Sequence, residues 1–206
     1  MDKKIIVFNG PPGSGKDMCV GMARVWLYDN GQIKNVHMKM ATPLKEATHA
    51  LFGGFLSKYS IEHDRELKEK TSGLLLGMSP REAYIKVSEE CIKPVFGSQF
   101  FGTVCANVIH NRNEKVFLFS DGGFVDEWIP IVSIYGAENV TIVELHSPQC
   151  NFDNDSRSYI GDDLKKLYPA LNITRITNNI TGDPLDREVT CMLVHSVVAK
   201  VVGDGL

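Results

Sequence analysis

The sequence predicts an α/β protein with a parallel central sheet of about five strands, because short apolar runs alternate with longer segments of helical period. The clearest run, Ile5–Phe8, is apolar without interruption, which is typical of a strand covered by helices on both faces. Further strands are predicted at residues 36–40, 115–120, 140–145 and 173–176. The chain of 206 residues is long enough for one such domain, and it needs no disulfides or structural metal to hold a core.

Helix start and stop signals lie between these runs. Asn30-Gly31 ends the helix after the first strand, and Pro43 opens another in its first turn, where a missing N–H costs nothing. Ser79 is typical of an N-cap and is followed by Pro80. Besides the helix that begins there, helices are predicted at residues 17–28, 43–52, 99–111, 126–135 and 185–202.

One long region carries no strong strand signal. Residues 58–79 are polar and poorly periodic, which predicts a loop with one or two helical turns. Residues 41–112 as a whole contain helical patterns only, so we interpret them as a helical insertion between two strands of one sheet.

Composition excludes several classes of protein. Lys plus Arg is 22 and Asp plus Glu is 25, and the resulting charge of −3 argues against a general nucleic-acid binder. The five cysteines are scattered without a C-x-x-C pair, as in a reduced cytosolic protein. The sequence shows neither a signal-peptide core nor the apolar stretch of about 18 residues that a membrane helix needs. We therefore expect a cytoplasmic protein with no membrane partner.

The strongest motif is GPPGSGK at residues 10–16, which fits G-x-x-x-x-G-K and lies between a strand and a helix. In such a loop, backbone N–H groups face a concavity at the positive end of a helix dipole, and the lysine contacts the β- and γ-phosphates. The motif predicts a three-layer P-loop NTPase fold that binds a nucleoside triphosphate, with a glycine- and proline-rich turn without a ligand as the alternative. By itself it leaves motor proteins, GTPases, kinases and nucleic-acid ATPases open. The residues expected to hold the ATP phosphates are Gly10, Gly13, Ser14, Gly15, Lys16 and Asp17, and Lys16 is also a candidate catalytic residue.

Two aspartates are candidate Mg²⁺ ligands. Asp17 stands where such loops usually have Ser or Thr; its carboxylate can bind the ion directly or through water, or merely favour the helix N-terminus. Asp121 follows a buried strand, at the edge where open α/β sheets bind ligands, and would hold Mg²⁺ through its water shell. The alternative for Asp121 is an ordinary Asp-Gly-Gly turn.

Several segments in order extend this prediction: FNGPPGSGKD (8–17), MKMATPLKEATHALFG (38–53), SPREAYIKVSEECIKPVFGSQFF (79–101) and KVFLFSDGGFVDE (115–127). In these segments, and in ITNN at residues 176–179, the chain resembles the phage deoxynucleoside monophosphate kinases, and the resemblance covers about residues 4–190. It is less similar to the animal-type phosphomevalonate kinases, which share the G-K-D variant. A phage origin, and hence a host-cytoplasm location, follow only from this resemblance.

The resemblance implies transfer of the γ-phosphoryl group of ATP to the phosphate of a nucleoside monophosphate, with residues 41–112 binding the acceptor. The residues it places on the acceptor side are Lys39, Pro43, Lys45 and Arg81. Arg81 would act as a catalytic residue with bidentate contacts to the acceptor phosphate. Lys45 as a solvated helix charge and Arg81 as a surface partner of Glu82 or Glu89 are the alternatives.

Residues 147–163 form the predicted short lid, in which Arg157 is the candidate catalytic residue, with a surface loop position as its alternative. Both resembled families have arginine just after the strand-end aspartate, where this chain has Gly122 and Gly123. A missing charge at the transferred group lowers rate strongly. Lys39, Lys93 or a partner subunit would have to compensate, so the sequence leaves a homodimer open.

The function that we expect is therefore ATP- and Mg²⁺-dependent phosphorylation of (deoxy)nucleoside monophosphates to diphosphates, which supplies DNA precursors. Two alternatives stay open: a kinase of another small phosphorylated acceptor, such as phosphomevalonate, and a nucleotide-binding sensor or interaction protein without transfer activity. Phe96, Phe100 and Phe101 would stack on a base in the kinase, or belong to the core.

Overall fold

The computed structural model describes residues 3–53, 64–153, 155–179 and 182–203. Its centre is a parallel sheet of five strands in the order β2-β3-β1-β4-β5. The strands are β1 (Lys4–Asn9), β2 (Asn35–Met38), β3 (Val116–Phe119), β4 (Val140–His146) and β5 (Asn172–Thr177). The predicted parallel α/β sheet is thus confirmed.

The described helices lie between and after these strands. They are α1 (Lys16–Asp29), α2 (Thr42–Leu51), α3 (Arg65–Glu69), α4 (Pro80–Lys86), α5 (Lys93–Phe96), α6 (Phe100–His110), α7 (Val125–Tyr135), α8 (Gly161–Leu167) and α9 (Pro184–Val202). A π-helical stretch, Val87–Ile92, joins α4 to α5. Among the described residues, no helix is long and apolar enough to cross a membrane.

Each face of the sheet has its own core, because successive side chains of a strand point to opposite faces. Ile5 and Val7 of β1 belong to a cluster with α6, α7 and α8 that includes Phe101, Trp128 and Leu164. Ile6 and Phe8 belong to the opposite cluster, together with residues of α1 and α9. Two helical layers enclosing one parallel sheet, with the phosphate loop after β1, give the three-layer α/β architecture of a P-loop NTPase.

The structure departs from the predicted elements in two places. Helix α8 was not predicted; its sequence, GDDLKKL, is short and buries only Gly161 and Leu164, which is too little for a periodic signal. Strand β2 ends at Met38 instead of residue 40, because the N–H groups of Met40 and Ala41 donate to Asp121 rather than to a strand.

The predicted insertion, residues 41–112, is described at 41–53 and 64–112. The regular elements in those two parts are all helical. The predicted loop at residues 58–79 holds α3 and a 3₁₀ turn at Gly73–Leu75, while its residues 58–63 lie outside the described part of the chain. The insertion and lid boundaries remain predictions.

Candidate functional site

The loop between β1 and α1 has the backbone of an anion-binding turn. Gly13 and Gly15 have φ of 82° and 86°, in the left-handed region that favours glycine. Gly10 is required for space, because a Cβ there would lie 2.8 Å from the carbonyl oxygen of Leu145. No side chain caps the N-terminus of α1, so its N–H groups remain available to an anion.

Lys16 lies folded back along this loop. Its Nζ donates to the carbonyl oxygens of Gly10 and Pro11 at 2.8 and 2.6 Å. Burial lowers the pKa of Lys16 to about 8, and the charge of Arg157 acts in the same direction, against nearby carboxylates. Replacing two neutral carbonyl partners by phosphate oxygens would favour the charged ammonium.

Two buried asparagines tie together the loops at this edge of the sheet, and one of them, Asn178, bonds the phosphate loop itself. Asn178, just after β5, donates from Nδ2 to the carbonyl oxygen of Ser14 at 2.8 Å and accepts from the Thr190 hydroxyl at 2.9 Å. Asn9, at the end of β1, bonds the loops on either side of it, as described below. Sequence reasoning missed both; their only signal is a polar residue at the carboxyl end of an apolar strand.

Asp17 lies in a small polar cluster at the mouth of the loop. Its carboxylate is 3.5 Å from Lys39 Nζ and 3.8 Å from His37 Nε2, and His37 Nε2 lies 2.7 Å from the Ser120 hydroxyl. Desolvation raises the pKa of Asp17, but the Ser120 hydroxyl, Lys39 and His37 outweigh it and lower that pKa below its usual value. Asp17 is therefore a carboxylate at neutral pH. His37 and Ser120, which sequence reasoning left without a role, belong to this cluster.

Asp121 accepts hydrogen bonds from the segment between β2 and α2 instead of from its own turn. Its two carboxylate oxygens accept N–H from Met40 at 2.6 Å and from Ala41 at 3.0 Å. Burial raises the pKa of Asp121, while these two donors and the charges of Lys45 and Lys39 lower it in part. The contact also fixes the chain between β2 and α2 against β3.

The carboxylate oxygens of Asp17 and Asp121 fit a magnesium ion that keeps most of its water ligands. The described residues hold no group of three or more His, Cys, Asp or Glu placed to bind a metal. Magnesium in phosphoryl-transfer sites takes one or two carboxylates, substrate phosphates and several waters, so a dedicated cage is not needed. Asp17 offers an exposed carboxylate, and the oxygens of Asp121 each keep a lone pair beyond their backbone donor.

A cavity of about 570 Å³ lies beside the Asp17 cluster, between the end of β2, helix α2 and helix α6. Its wall is partly apolar, and its polar lining includes His37, Lys39, Lys45, His49, Tyr84 and Arg112. His49 Nε2 lies 3.1 Å from the Tyr84 hydroxyl, which links α2 to α4. The predicted acceptor residues Lys39, Pro43 and Lys45 all line this cavity.

Arg81 does not line that cavity. Its guanidinium contacts Glu69 at 2.6 Å, on a half-exposed surface, instead of Glu82 or Glu89. Glu82 is engaged in the capping box of α4, and Glu89 pairs with Lys93 at 2.6 Å. The charge of Arg81 also contributes to lowering the pKa of Asp155, after the larger effects of Arg157.

Arg157, in the predicted lid, packs its side-chain stem against Gly123, in the loop after β3, the strand that pairs with β1. Its guanidinium binds Asp155 in bidentate fashion, with Nε to Oδ1 at 2.8 Å and Nη2 to Oδ2 at 2.5 Å. This bond holds the pKa of Asp155 down to about 2. The charge of Arg157 also acts on Lys16 and Asp121. Lys16, Arg157 and the carboxylates of residues 17, 121 and 155 thus form one electrostatic cluster.

The aromatic residues of the insertion divide between core and surface. Phe101 is buried and contacts Phe100 edge-on, with ring centroids 5.4 Å apart. Phe96 is 62% exposed and stacks on Phe100 at 4.9 Å. Phe101 is therefore a core residue, while Phe96 presents its outer face to solvent.

Glu127, on the first turn of α7, is a buried acid that the sequence did not reveal. Burial raises its pKa to about 7, and the negative charge of Asp121 adds to this effect. Lys93 opposes the shift, but its ammonium is bonded to Glu89 and lies over the Phe124 ring. Glu127 is therefore a buried acid near Asp121 whose pKa lies close to neutral pH, although an acidic residue in the first turn of a helix is ordinarily exposed.

No family model and no curated protein matches the chain. Among solved structures, it is similar to a thymidylate kinase from Ehrlichia chaffeensis, with 18% identity and a TM-score of 0.42, covering 98% of this chain and 100% of that one. It is also similar to a gluconokinase from Sinorhizobium meliloti 1021, with 10% identity and a TM-score of 0.40, covering 98% of this chain and 95% of that one.

The class of protein rests on the fold and the loop, not on these likenesses. A parallel sheet with β1 between β3 and β4, followed by a glycine-rich loop at the start of α1, defines a P-loop NTPase fold. Lys16 and Asp17, at the start of α1, and Asp121, after β3, lie at the carboxyl edge of the sheet, which is the candidate functional site.

Proposed function

We propose that this protein is an ATP-dependent kinase that phosphorylates a nucleoside monophosphate, with deoxynucleoside monophosphates as the first candidates. The observation that carries the proposal is the position of the cation-lined cavity directly beside the phosphate loop. Lys39 connects the two, since it lines the cavity and its ammonium lies 3.5 Å from the carboxylate of Asp17, the residue that follows the loop.

The donor would be held by the loop. The N–H groups of residues 13–17 and the ammonium of Lys16 would surround the β- and γ-phosphates of ATP. Asp17 and Asp121 would hold Mg²⁺, directly or through its water shell, and the ion, when bound, neutralises charge on the phosphate oxygens. Lys16 would exchange its bonds to the carbonyl oxygens of Gly10 and Pro11 for phosphate oxygens.

The acceptor would bind in the cavity with its phosphate toward Lys39 and Lys45. An oxygen of that phosphate attacks the γ-phosphorus, the bond from the γ-phosphorus to the β,γ-bridging oxygen breaks, and ADP leaves with that oxygen. The attacking oxygen is already anionic, so no general base is needed. Arg157 would stabilise the transferred group, and Arg81 would approach from the lid side of the cleft.

The apolar part of the cavity supports an acceptor with a sizeable uncharged body. Val36, Met38, Val104 and Val108 form that wall, and Tyr84 adds an aromatic ring with a hydroxyl. A base and sugar supply such a body. Phosphomevalonate is instead a short branched chain that carries a hydroxyl group and a charged carboxylate, so the apolar wall favours the nucleotide.

The test is an ATP-to-ADP coupled assay of the purified protein with each deoxy- and ribonucleoside monophosphate, and with phosphomevalonate. Lys16→Ala serves as the active-site control, and Lys200→Ala, on the exposed end of α9, as a control for loss of a lysine elsewhere. We expect turnover with at least one deoxynucleotide, lost in Lys16→Ala and kept in Lys200→Ala.

Two other results would replace this proposal. Turnover with phosphomevalonate alone would assign the cavity to another phosphorylated acceptor. ATP binding without turnover on any acceptor would refute the kinase and leave a nucleotide-binding protein without transfer activity. Measuring ATP affinity in the same preparation separates the second result from inactive protein.

A further inference from the structure

The segment that carries Arg157 is tied to the sheet by a buried asparagine. Asn9, which is 2% exposed, donates from Nδ2 to the carbonyl oxygens of Gly122 at 2.7 Å and Ser158 at 3.0 Å. Its Oδ1 accepts from the N–H of Ile160 at 3.1 Å. One amide therefore joins the end of β1, the loop after β3 and residues 158–160.

A second contact fixes the same two loops to each other. The N–H of Ser158 donates to the carbonyl oxygen of Gly123 at 3.2 Å. Residues 158–160 thus have hydrogen bonds to the sheet edge at both ends. The carboxyl half of the predicted lid is anchored, and Arg157 stands at the boundary of this anchored part.

The stem of Arg157 lies directly on the backbone of Gly123. A Cβ built on Gly123 would be 2.3, 2.6 and 3.0 Å from the Cβ, Cγ and Cδ of Arg157, too close for any side chain to share the space. The φ of Gly123 is outside the left-handed region, so its backbone conformation does not itself demand glycine. The requirement at this position is room for Arg157.

We propose that Gly123 and Asn9 are positioning residues, which seat the stem of Arg157 and fix the segment that carries it, so that the protein itself holds the guanidinium beside the phosphate loop. This inference rests on the proposed phosphoryl transfer for its consequence in catalysis. It adds that Arg157 acts from an anchored position instead of being delivered by a mobile lid. Arginine stabilisation of transferred phosphoryl groups is most effective when the group is preorganised.

The test compares Gly123→Ala with Arg157→Ala and with the double variant. Gly21→Ala is the matched control, because Gly21 lies in α1 with ordinary φ and no atom within 4 Å of its added Cβ. The first readout is the ratio of the affinities for a non-hydrolysable ATP analogue and for ADP, measured by titration calorimetry. The second is kcat and KM for the acceptor found in the assay above.

We expect Arg157→Ala to reduce the preference for the triphosphate by about tenfold, which is typical of one lost charge-assisted hydrogen bond. It should lower kcat by about a thousandfold with a small change in KM. Gly123→Ala should shift both readouts in the same direction, and the double variant should lose no more than Arg157→Ala. Gly21→Ala should match the wild type.

An unchanged affinity ratio and kcat in Gly123→Ala, or losses that multiply in the double variant, would overturn the positioning role. The affinity ratio needs no transfer, so it decides this proposal even if the wild type phosphorylates no acceptor. If Gly123→Ala does not fold, Asn9→Asp replaces it: the acceptor of the Ile160 bond stays, and the two donated bonds are lost. Retention of the wild-type ratio in Asn9→Asp would equally refute the proposal.

Discussion

Glu127 makes stability depend on pH in a direction opposite to that of most carboxylates. Burial raises its pKa from the usual 4.5 to about 7, so the folded protein keeps a proton that the unfolded chain releases between these values. Glu127 therefore favours folding fully below about pH 4.5, and this contribution is lost as the pH rises through about 7. At about 1.4 kcal/mol for each pH unit, the loss above pH 7 is about 3 kcal/mol.

The substitution Glu127→Gln tests this reasoning, because glutamine has the size of the protonated acid and does not titrate. Urea unfolding of both proteins at pH 5 and pH 8.5 gives the two differences in the free energy of unfolding. We expect the free energy of unfolding of the variant to be close to that of the wild type at pH 5. At pH 8.5 we expect it to exceed the wild-type value by about 2 to 3 kcal/mol. Asp126→Asn removes the same charge from an exposed position on the same turn and should show no such gain. A Glu127→Gln difference that stays constant between the two pH values would show that the carboxyl is not held neutral.

Three further substitutions have defined outcomes. Gly122→Ala would place a Cβ 2.6 Å from Nε1 of the buried Trp128, so we expect a loss of about 1–3 kcal/mol in the free energy of unfolding, with a perturbed tryptophan fluorescence spectrum. Asn178→Ala removes the buried bond to the Ser14 carbonyl oxygen and should cost about 1–3 kcal/mol by urea unfolding, with weaker nucleotide binding by calorimetry; wild-type affinity would contradict a role in holding the loop. Ser79→Ala breaks the capping box of α4 and should lower stability by about 1 kcal/mol in the same unfolding experiment, without changing nucleotide affinity.

The phosphate loop illustrates what local sequence can predict. The motif at residues 10–16 specifies its own conformation, since Gly13 and Gly15 supply the left-handed backbone and the strand and helix on either side follow from the apolar pattern. The same local logic predicted the five strands and the Ser79 cap. Such features depend on neighbours within a few residues, so they are visible before the chain is folded.

The charge missing after Asp121 illustrates what only the tertiary structure decides. Sequence comparison marked Gly122 and Gly123 as a deficit, yet Gly123 is the seat of Arg157, which lies 34 positions further along the chain. A glycine at this position can mean that a catalytic arginine is missing, or that the glycine leaves room for an arginine from another loop. Which of the two holds depends on which loops meet at the edge of the sheet. The Asn9 amide bonds both of these loops, and its partners are 113 to 151 residues away along the chain.

The sequence by itself therefore determined the class of fold and the conformation of the glycine-rich loop after β1. The tertiary structure decided which side chains meet at that edge of the sheet: Asn178 bonds the Ser14 carbonyl oxygen, Asn9 bonds the loop after β3, the stem of Arg157 lies on Gly123, and Glu127 is a buried acid near Asp121. The physical reason is the range of the interactions. Backbone preference and apolar period act along the chain, whereas burial, charge and close packing depend on segments that only folding brings together.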